Sequence, residues 1–439
     1  MPANRRLLGI FPKLTGDLGK SAHMLVLKHL QRLGWEITVV TITGAKGAAS
    51  DEVWHGIRII RHTPQSLRWR ATQLLARIRE TDHSGPIHKI FAKLTLPAAV
   101  AVSFPDTYTA ATGELVELAQ QLHQHQAYDL VLSLYHPLTS HRVASQFSQK
   151  NEVPWVAMTK DFYSWPDSLL SGSRWHPANS LKRHLERRAL RKAVSLVTIS
   201  DYMTEYLQRV LPTVPVCTLP HCFDPDLYPR GSQTTAVDNV FRLVSVGRSL
   251  RKHDSDGLSR LFTALGELHR EGRITPERFR CCFVGSGGAF VKSVSKMHGC
   301  EAYIDLIAPK QHAEAMAAMA EATCLLYLQT PFGTRRRFSE YVGARRPILA
   351  LPEFAGTMSD TFLKAYGPGR VAADHDQLKT TICDLLNQFS QNGRLDIPYE
   401  PADVDAHSAC RRAEEMSALL QQHLPRLRPA TDPCVASQG

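Results

Sequence analysis

GTRRRFSEYVGARRPILALP, residues 333–352, reads as loop, helix and strand in immediate succession. Gly333 and Thr334 open a turn. Arg335, Arg336 and Arg337 fall at or just before a first helical turn, and Pro347 stops the segment ahead of the apolar run 348–351. A helix start exposes unpaired N–H groups and a partial positive charge, which suits an anion. Guanidinium forks match phosphate oxygens, so arginines at that point add to the effect. Glu340 stands inside this positive field, and a carboxylate can accept hydrogen bonds from vicinal hydroxyls such as those of a ribose. The residues therefore suit a molecule with both a sugar diol and a diphosphate. They equally suit a solvated helix start in which an arginine merely pairs with Glu340.

The same grammar runs outward in both directions. Upstream, 242–246 is a strand followed by the basic loop GRSLRKHDSDG, which holds Arg248 and Lys252; 258–268 is a helix, and 279–284 is a strand opening into GSGG at 285–288. A strand at 302–306, a short helix at 312–319 and the buried run CLLYLQ at 324–329 lead into the opening stretch. Beyond it come a last strand at 369–373, helices at 377–389 and 408–424, and a tail that reads as disordered.

The first half starts with a strand at 7–11, a loop with Gly16 and Gly19, a helix with Ala22, Val26, Leu30 and Leu33 on one face, and a strand at 36–42. That is the opening of a doubly wound α/β domain, although G-x-G-x-x-G is absent and the glycines also suit a plain tight turn. The segment 56–62 continues the sheet. Residues 66–106 mix basic and apolar side chains, which suits helices packed on their own domain, an acceptor cleft or an anionic membrane surface. A helix at 114–125 precedes a strand at 129–134, with His136 and His141 at or just beyond its end. A strand at 153–158 places Asp161 and Trp165 on the same rim, where open α/β sheets bind ligands. A basic helix at 181–192 and strands at 196–200 and 215–220 lead to the Pro- and Gly-rich stretch 221–239, which reads as a linker. The expected organisation is therefore an α/β domain at 1–230, a second α/β domain at 231–400, a helix at 401–425 and a tail at 426–439. Two such domains imply a ligand cleft between them.

The totals agree with this. A chain of 439 residues is too long for one core. Its 52 Lys+Arg against 41 Asp+Glu leave +11, which favours an anionic partner. The nine cysteines show no C-x-x-C pair and read as reduced, which fits a cytoplasmic setting. No apolar stretch is long enough for a membrane span, and the basic start lacks a signal-like core, so neither secretion nor a span is expected. The basic residues are dispersed and no nucleic-acid module is present, which disfavours a nucleic-acid enzyme. The Asp-x-Asp triplets at 224–226, 254–256, 374–376 and 403–405 all read as turn or surface acids rather than metal ligands. No zinc-protease, nucleophile-elbow or P-loop motif occurs.

Over residues 5–424 these pieces together resemble a GT-B glycosyltransferase of the large retaining family 4. The resemblance rests on TGDLG and RLGWEITVV, PWVAMTKD, LERRALRKAVSLVTIS, CTLPHCFDPDLYP, FVGSG, KQHAEAMAAMAEATCLLYLQ and RRFSEYVGARRPILAL, in that order. It implies two Rossmann-like doubly wound domains facing a central cleft, 1–230 binding the acceptor and 231–400 the nucleotide sugar, with the 401–425 helix packing back toward the first domain. It implies a metal-independent retaining hexosyltransferase with no cofactor beyond its nucleotide-sugar co-substrate. It also implies roles for single residues. Glu340 would bind the nucleotide ribose and Arg337 the donor diphosphate. Gly16 and Gly19 would lie against the diphosphate and the reacting sugar, with Gly285 also on the donor side. His141 would contact the transferred sugar, Asp161 would face the acceptor, and Arg248 and Lys252 would neutralise the diphosphate. The implied partners are a nucleotide-diphosphate sugar and a glycan or lipid-linked acceptor, with peripheral contact at the inner face of a membrane as an option and no nucleic acid. The sequence departs from the family at Phe332, where a first motif glutamate is often found, and at His221-Cys222, where Asn-Gly is usual. Two rivals stay open: a non-catalytic nucleotide- or glycan-binding subunit of the same fold, which Phe332 motivates, and an NDP-sugar epimerase of the same architecture.

Overall fold

The structure, a computed structural model, describes residues 5–14, 18–42, 49–80, 103–164, 177–228, 239–247, 255–308, 312–330, 335–395 and 398–424. Two sheets carry it. The first comprises β1 (Arg5–Ile10), β2 (Trp35–Ile42), β3 (Asp51–Trp54), β4 (Ile57–His62), β5 (Leu130–Tyr135), β6 (Trp155–Thr159), β7 (Ser195–Thr198) and β8 (Val216–Thr218), in the order β3-β4-β2-β1-β5-β6-β7-β8. The second comprises β9 (Phe241–Val246), β10 (Phe279–Val284), β11 (Ile304–Ile307), β12 (Cys324–Leu328), β13 (Ile348–Leu351) and β14 (Gly369–Val371), in the order β11-β10-β9-β12-β13-β14. Every pairing is parallel except that of β3 with β4.

Parallel sheets need both faces covered, so their central strands read as unbroken apolar runs. LVLSLY of β5 and CLLYL of β12 are buried at every position. Separate apolar clusters fill the two faces of each sheet. Strand order reverses between β1 and β5 in the first sheet and between β9 and β12 in the second. The loops leaving the C-terminal ends of those strands flank a switch point, where doubly wound folds hold their ligands.

The chain passes between the halves twice, and the two passes are bonded together. Phe223 N donates to His407 O (3.1 Å) and Ala409 N donates to Phe223 O (2.9 Å). The helix Ala409–Gln422 then lies on the first domain. Its Ala409, Ala413, Met416 and Leu420 join the cluster of Met24, Leu27 and Trp35, and Trp35 Nε1 donates to Ser417 Oγ (3.0 Å).

The triplet at 224–226 forms a turn, as expected: Asp224 caps the 3₁₀ turn Pro225–Leu227 and its Oδ1 accepts Asp226 N (3.1 Å). Asp226 is exposed, but Asp224 is buried and accepts Lys28 Nζ (2.7 Å) and His29 Nε2 (3.3 Å) from the first-domain helix Ala22–Arg32. It is an ion-paired turn acid that anchors the linker. His29, Asp224 and Asp226 are the only such group of potential metal ligands among the described residues, and the Lys28 ammonium already bridges the two carboxylates at 2.7 Å each. The segment 81–102 and Trp165 lie outside the described residues.

Candidate active site

The helix Arg336–Gly343 forms where the opening stretch predicts it. Phe338, Tyr341 and Val342 bury one face, and Arg335 is an extended N-cap with no side-chain cap. Arg336 and Arg337 are therefore its first two residues. Fixed contacts hold it against the switch point of the second sheet. Val246 N, at the end of β9, donates to Tyr341 Oη (2.7 Å), Arg335 N donates to Tyr327 Oη (3.2 Å), and Arg337 Nη1 reaches Val246 O (3.5 Å). Gly247 and Gly285 follow β9 and β10 with φ of +120° and +138°, and a Cβ on Gly285 would stand 2.0 Å from Gly247 O. Only glycine permits that approach, so the two loops form a low floor beside Arg337.

Glu340 lies one turn along and is mostly buried. Arg336 Nη2 pairs with its Oε1 at 3.0 Å, with side-chain exposures of 27% for Arg336 and 16% for Glu340. In the ligand-free chain, the local pairing that the sequence also allowed is thus present. On its other side the helix meets the linker, where Ser339 Oγ donates to His221 O (2.7 Å).

The first domain supplies the opposite wall. Lys13 follows β1, and Gly19 lies in the 3₁₀ turn Leu18–Lys20. His23 sits in the first turn of the helix Ala22–Arg32, whose N-cap Ser21 accepts Met24 N. His136 follows β5, and Lys160 and exposed Asp161 follow β6. The His23 and His221 rings are 6.1 Å apart, which brings the two walls together.

These groups share one electrostatic environment. Burial, then the charges of Lys160 and Arg336, hold His23 well below the usual histidine range. Burial, then Arg336 and Lys160, bring His221 down to about 4. His136 is lowered by burial and by Lys13, against the opposing pull of Asp106 and Asp161. Lys160 keeps solvent contact, yet the protein around it lowers its pKa first, with Lys13 and Arg336 adding to this and Asp161 opposing it. The cleft therefore gathers cations and neutral imidazoles, a set of hydrogen-bond donors without excess negative charge.

The structure places Gly285 and Asp161 in loops at strand ends, Gly19 in the 3₁₀ turn after β1, and Arg337 and Glu340 on the helix held against the end of β9. Gly16, Arg248, Lys252 and Phe332 lie outside the described residues. His141 lies in the helix that follows β5 rather than at the strand end, and its Nε2 has no hydrogen-bond partner. It is 1% exposed inside the helix Leu138–Asn151, its Nδ1 meets Ser133 Oγ at 2.7 Å, and burial brings its pKa down to about 3. The helix turns that ring into the sheet, beside Trp155. The histidine standing at the strand end is His136. Its signal was its place directly after the apolar run, ahead of Pro137. His23, His221 and Lys160 carried no comparable signal, because only tertiary structure joins them.

Known proteins place the fold. Residues 21–222 match the family model described as a glycosyl transferase 4-like domain. Sucrose-phosphate synthase from Thermosynechococcus elongatus is 15% identical, with a TM-score of 0.62 over 95% of this chain and 99% of that one. The E. coli trehalose-6-phosphate structure bound with UDP-2-fluoro glucose is 10% identical, with a TM-score of 0.60 over 96% of this chain and 100% of that one. WaaG, a glycosyltransferase involved in lipopolysaccharide biosynthesis, is 15% identical, with a TM-score of 0.54 over 94% of this chain and 99% of that one. Among curated proteins, no sequence matches the chain. Residues 21–222 thus match the glycosyl transferase 4-like domain model, and the chain as a whole has the two-domain GT-B fold.

Proposed function

We propose that the chain moves a hexose from a nucleotide-diphosphate sugar to a glycan or lipid-linked acceptor, with retention and without a metal, in cell-surface polysaccharide or glycolipid synthesis at the cytoplasmic face of a membrane. The observation that carries this reading is the position of Arg337. It stands in the first turn of a helix, against the glycine floor at the second sheet's switch point. As a glycosidic bond breaks, negative charge concentrates on the departing diphosphate. A cation and a helix start already fixed in place stabilise that charge without reorganising, and one such group is typically worth about 3–4 kcal/mol.

In this reading Gly285 and the Gly16–Gly19 loop let the diphosphate approach backbone closely, and Arg248 and Lys252 add charge. Glu340 accepts the ribose hydroxyls, sharing them with Arg336 or releasing it. His136 and Asp161 face the transferred sugar and the acceptor. His141 holds β5 and its following helix together through Ser133, and so positions His136. The related structure bound with UDP-2-fluoro glucose supports a nucleotide-sugar donor. Among the described residues no helix is long and apolar enough to cross a membrane, so a lipid-linked acceptor would be met from the surface.

The test is a thermal-shift panel of uridine, guanosine, adenosine and thymidine diphosphate sugars. The matching donor at 100 times its dissociation constant stabilises by about 2.7 kcal/mol. Arg337→Ala removes a charge-assisted hydrogen bond and weakens that donor about 10- to 100-fold. A panel with no shift, or an Arg337→Ala protein that binds as well as the parent, rejects the reading. Product analysis with acceptor separates transfer from epimerisation.

A further inference from the structure

We infer that the cleft holds a second anion subsite beside that of the diphosphate, formed by His23, His221 and Arg336 with Lys160 at its lip, which receives a phosphate or carboxylate carried by the transferred sugar or by the acceptor. The inference rests on the donor reading given above, because it assigns the diphosphate to Arg337.

Three observations carry it. Arg336 and Arg337 are consecutive on a helix, so their side chains leave it about 100° apart. Arg337 goes to the end of β9, whereas Arg336 lies over Glu340. Next, three separate segments converge on the Arg336 side. Ser339 Oγ bonds His221 O, the His221 ring is 6.1 Å from that of His23, and Cys222 Sγ lies 3.8 Å from Ala22 O. Finally, each of these segments contributes a buried polar atom with no hydrogen-bond partner: His23 Nε2, His221 Nδ1 and Arg336 Nε. His23 is only 6% exposed. Buried polar atoms are almost always paired, so a convergent set from three segments marks the place of a group with several acceptor oxygens. The charge balance fits a single anionic group. Glu340 already offsets Arg336, and both imidazoles are held neutral, leaving one lysine and a ring of donors.

The experiment is a calorimetric titration of inorganic phosphate into the full chain, first alone and then saturated with its nucleoside diphosphate. Phosphate binds in both states. In a His23→Phe/His221→Phe protein its affinity falls at least about tenfold, while nucleoside diphosphate affinity stays within about twofold, which also shows that the variant folds. Hexose 6-phosphate binding on top of the nucleotide assigns the anion to the acceptor. A nucleotide-uronate that binds more tightly than the neutral nucleotide-hexose, with the preference lost in the variant, assigns it to the donor. If the nucleoside diphosphate displaces phosphate competitively, the cluster is the diphosphate's own site and the inference falls. It falls equally if phosphate does not bind, or binds the variant unchanged. Failure of every nucleotide to bind would reject the donor reading instead, and the phosphate titration of the unliganded chain would still report on this cluster.

Discussion

Glu186 is a buried carboxyl on the helix Pro177–Leu190, and it holds the loop after β6 that carries Asp161. Tyr163 N donates to its Oε1 (3.3 Å) and Ser164 Oγ donates to its Oε2. Burial pushes its pKa up to about 7, against these donors and the charge of Arg183, which pull it down. The folded chain therefore keeps a proton that the unfolded chain releases near the ordinary carboxyl range. Between that range and pH 7 the unfolded state binds fewer protons, so this group's contribution to stability declines as pH rises, by about 1.4 kcal/mol per unit at most. Glu186→Gln stays neutral and lacks that slope. Urea unfolding of parent and variant from pH 5 to 7.5 should show curves that diverge, with the parent losing ground as pH rises; parallel curves would refute the assignment. Legibility at this scale was uneven. Arg337 and Glu340 could be read because turn, helix and proline punctuate their stretch. His136 and His141 could not be ranked, because what separates them is Ser133, a tertiary partner of one and not of the other.

The helix Arg336–Gly343 is joined to the linker at one crowded point. A Cβ on Gly343 would come within 2.6 Å of the Phe223 ring. Alanine in a helix is ordinarily favoured over glycine by about 1 kcal/mol. Here the ring has little room to retreat, since the Phe223 backbone is bonded to His407 and Ala409. Overpacking typically costs about 1–3 kcal/mol, so the clash outweighs the propensity gain. Gly343→Ala should lower the unfolding free energy, and adding Phe223→Leu should recover part of the loss in a double-mutant cycle. Additive effects of the two changes would show that the contact does not govern the site. Elements with strong periodicity were legible, as with β2, β5, β10 and β12, whose apolar runs bury almost every side chain. The edge strand β3, DEVW, was not, because no residue in it is buried and its pairing depends on the turn into β4. Short helices such as Asp201–Val210 and Met358–Ala365 also escaped, being close to the length at which periodicity stops being distinctive.

Two domains could be anticipated because strand, loop and helix repeat twice along the chain, but nothing local says how the halves touch. Their contact is made of side chains remote in sequence: Lys28 with Asp224, His23 with His221, Phe223 with Gly343. Histidines are prominent in and around it. His23, His221 and His407 lie at the cleft and the crossing, and His141 lies in the first sheet's core. Burial, with nearby cations for the first three, lowers all of them, His221 and His407 to about 4 and His141 to about 3. Between pH 4 and 6.5 the unfolded chain takes up protons that the folded chain refuses. Their joint contribution is fully present above about 6.5 and is lost as pH falls. Each supplies up to about 1.4 kcal/mol per unit in that window, and together they outweigh the opposite slope of the single Glu186. Stability should therefore climb steeply from pH 4.5 to about 6.5 and then level or decline slightly. Denaturant midpoints across that range, with an unchanged dependence on denaturant concentration, provide the measurement. A flat profile would mean that these imidazoles take up protons inside the folded chain, and the neutral donor set assigned to the cleft would fail with it.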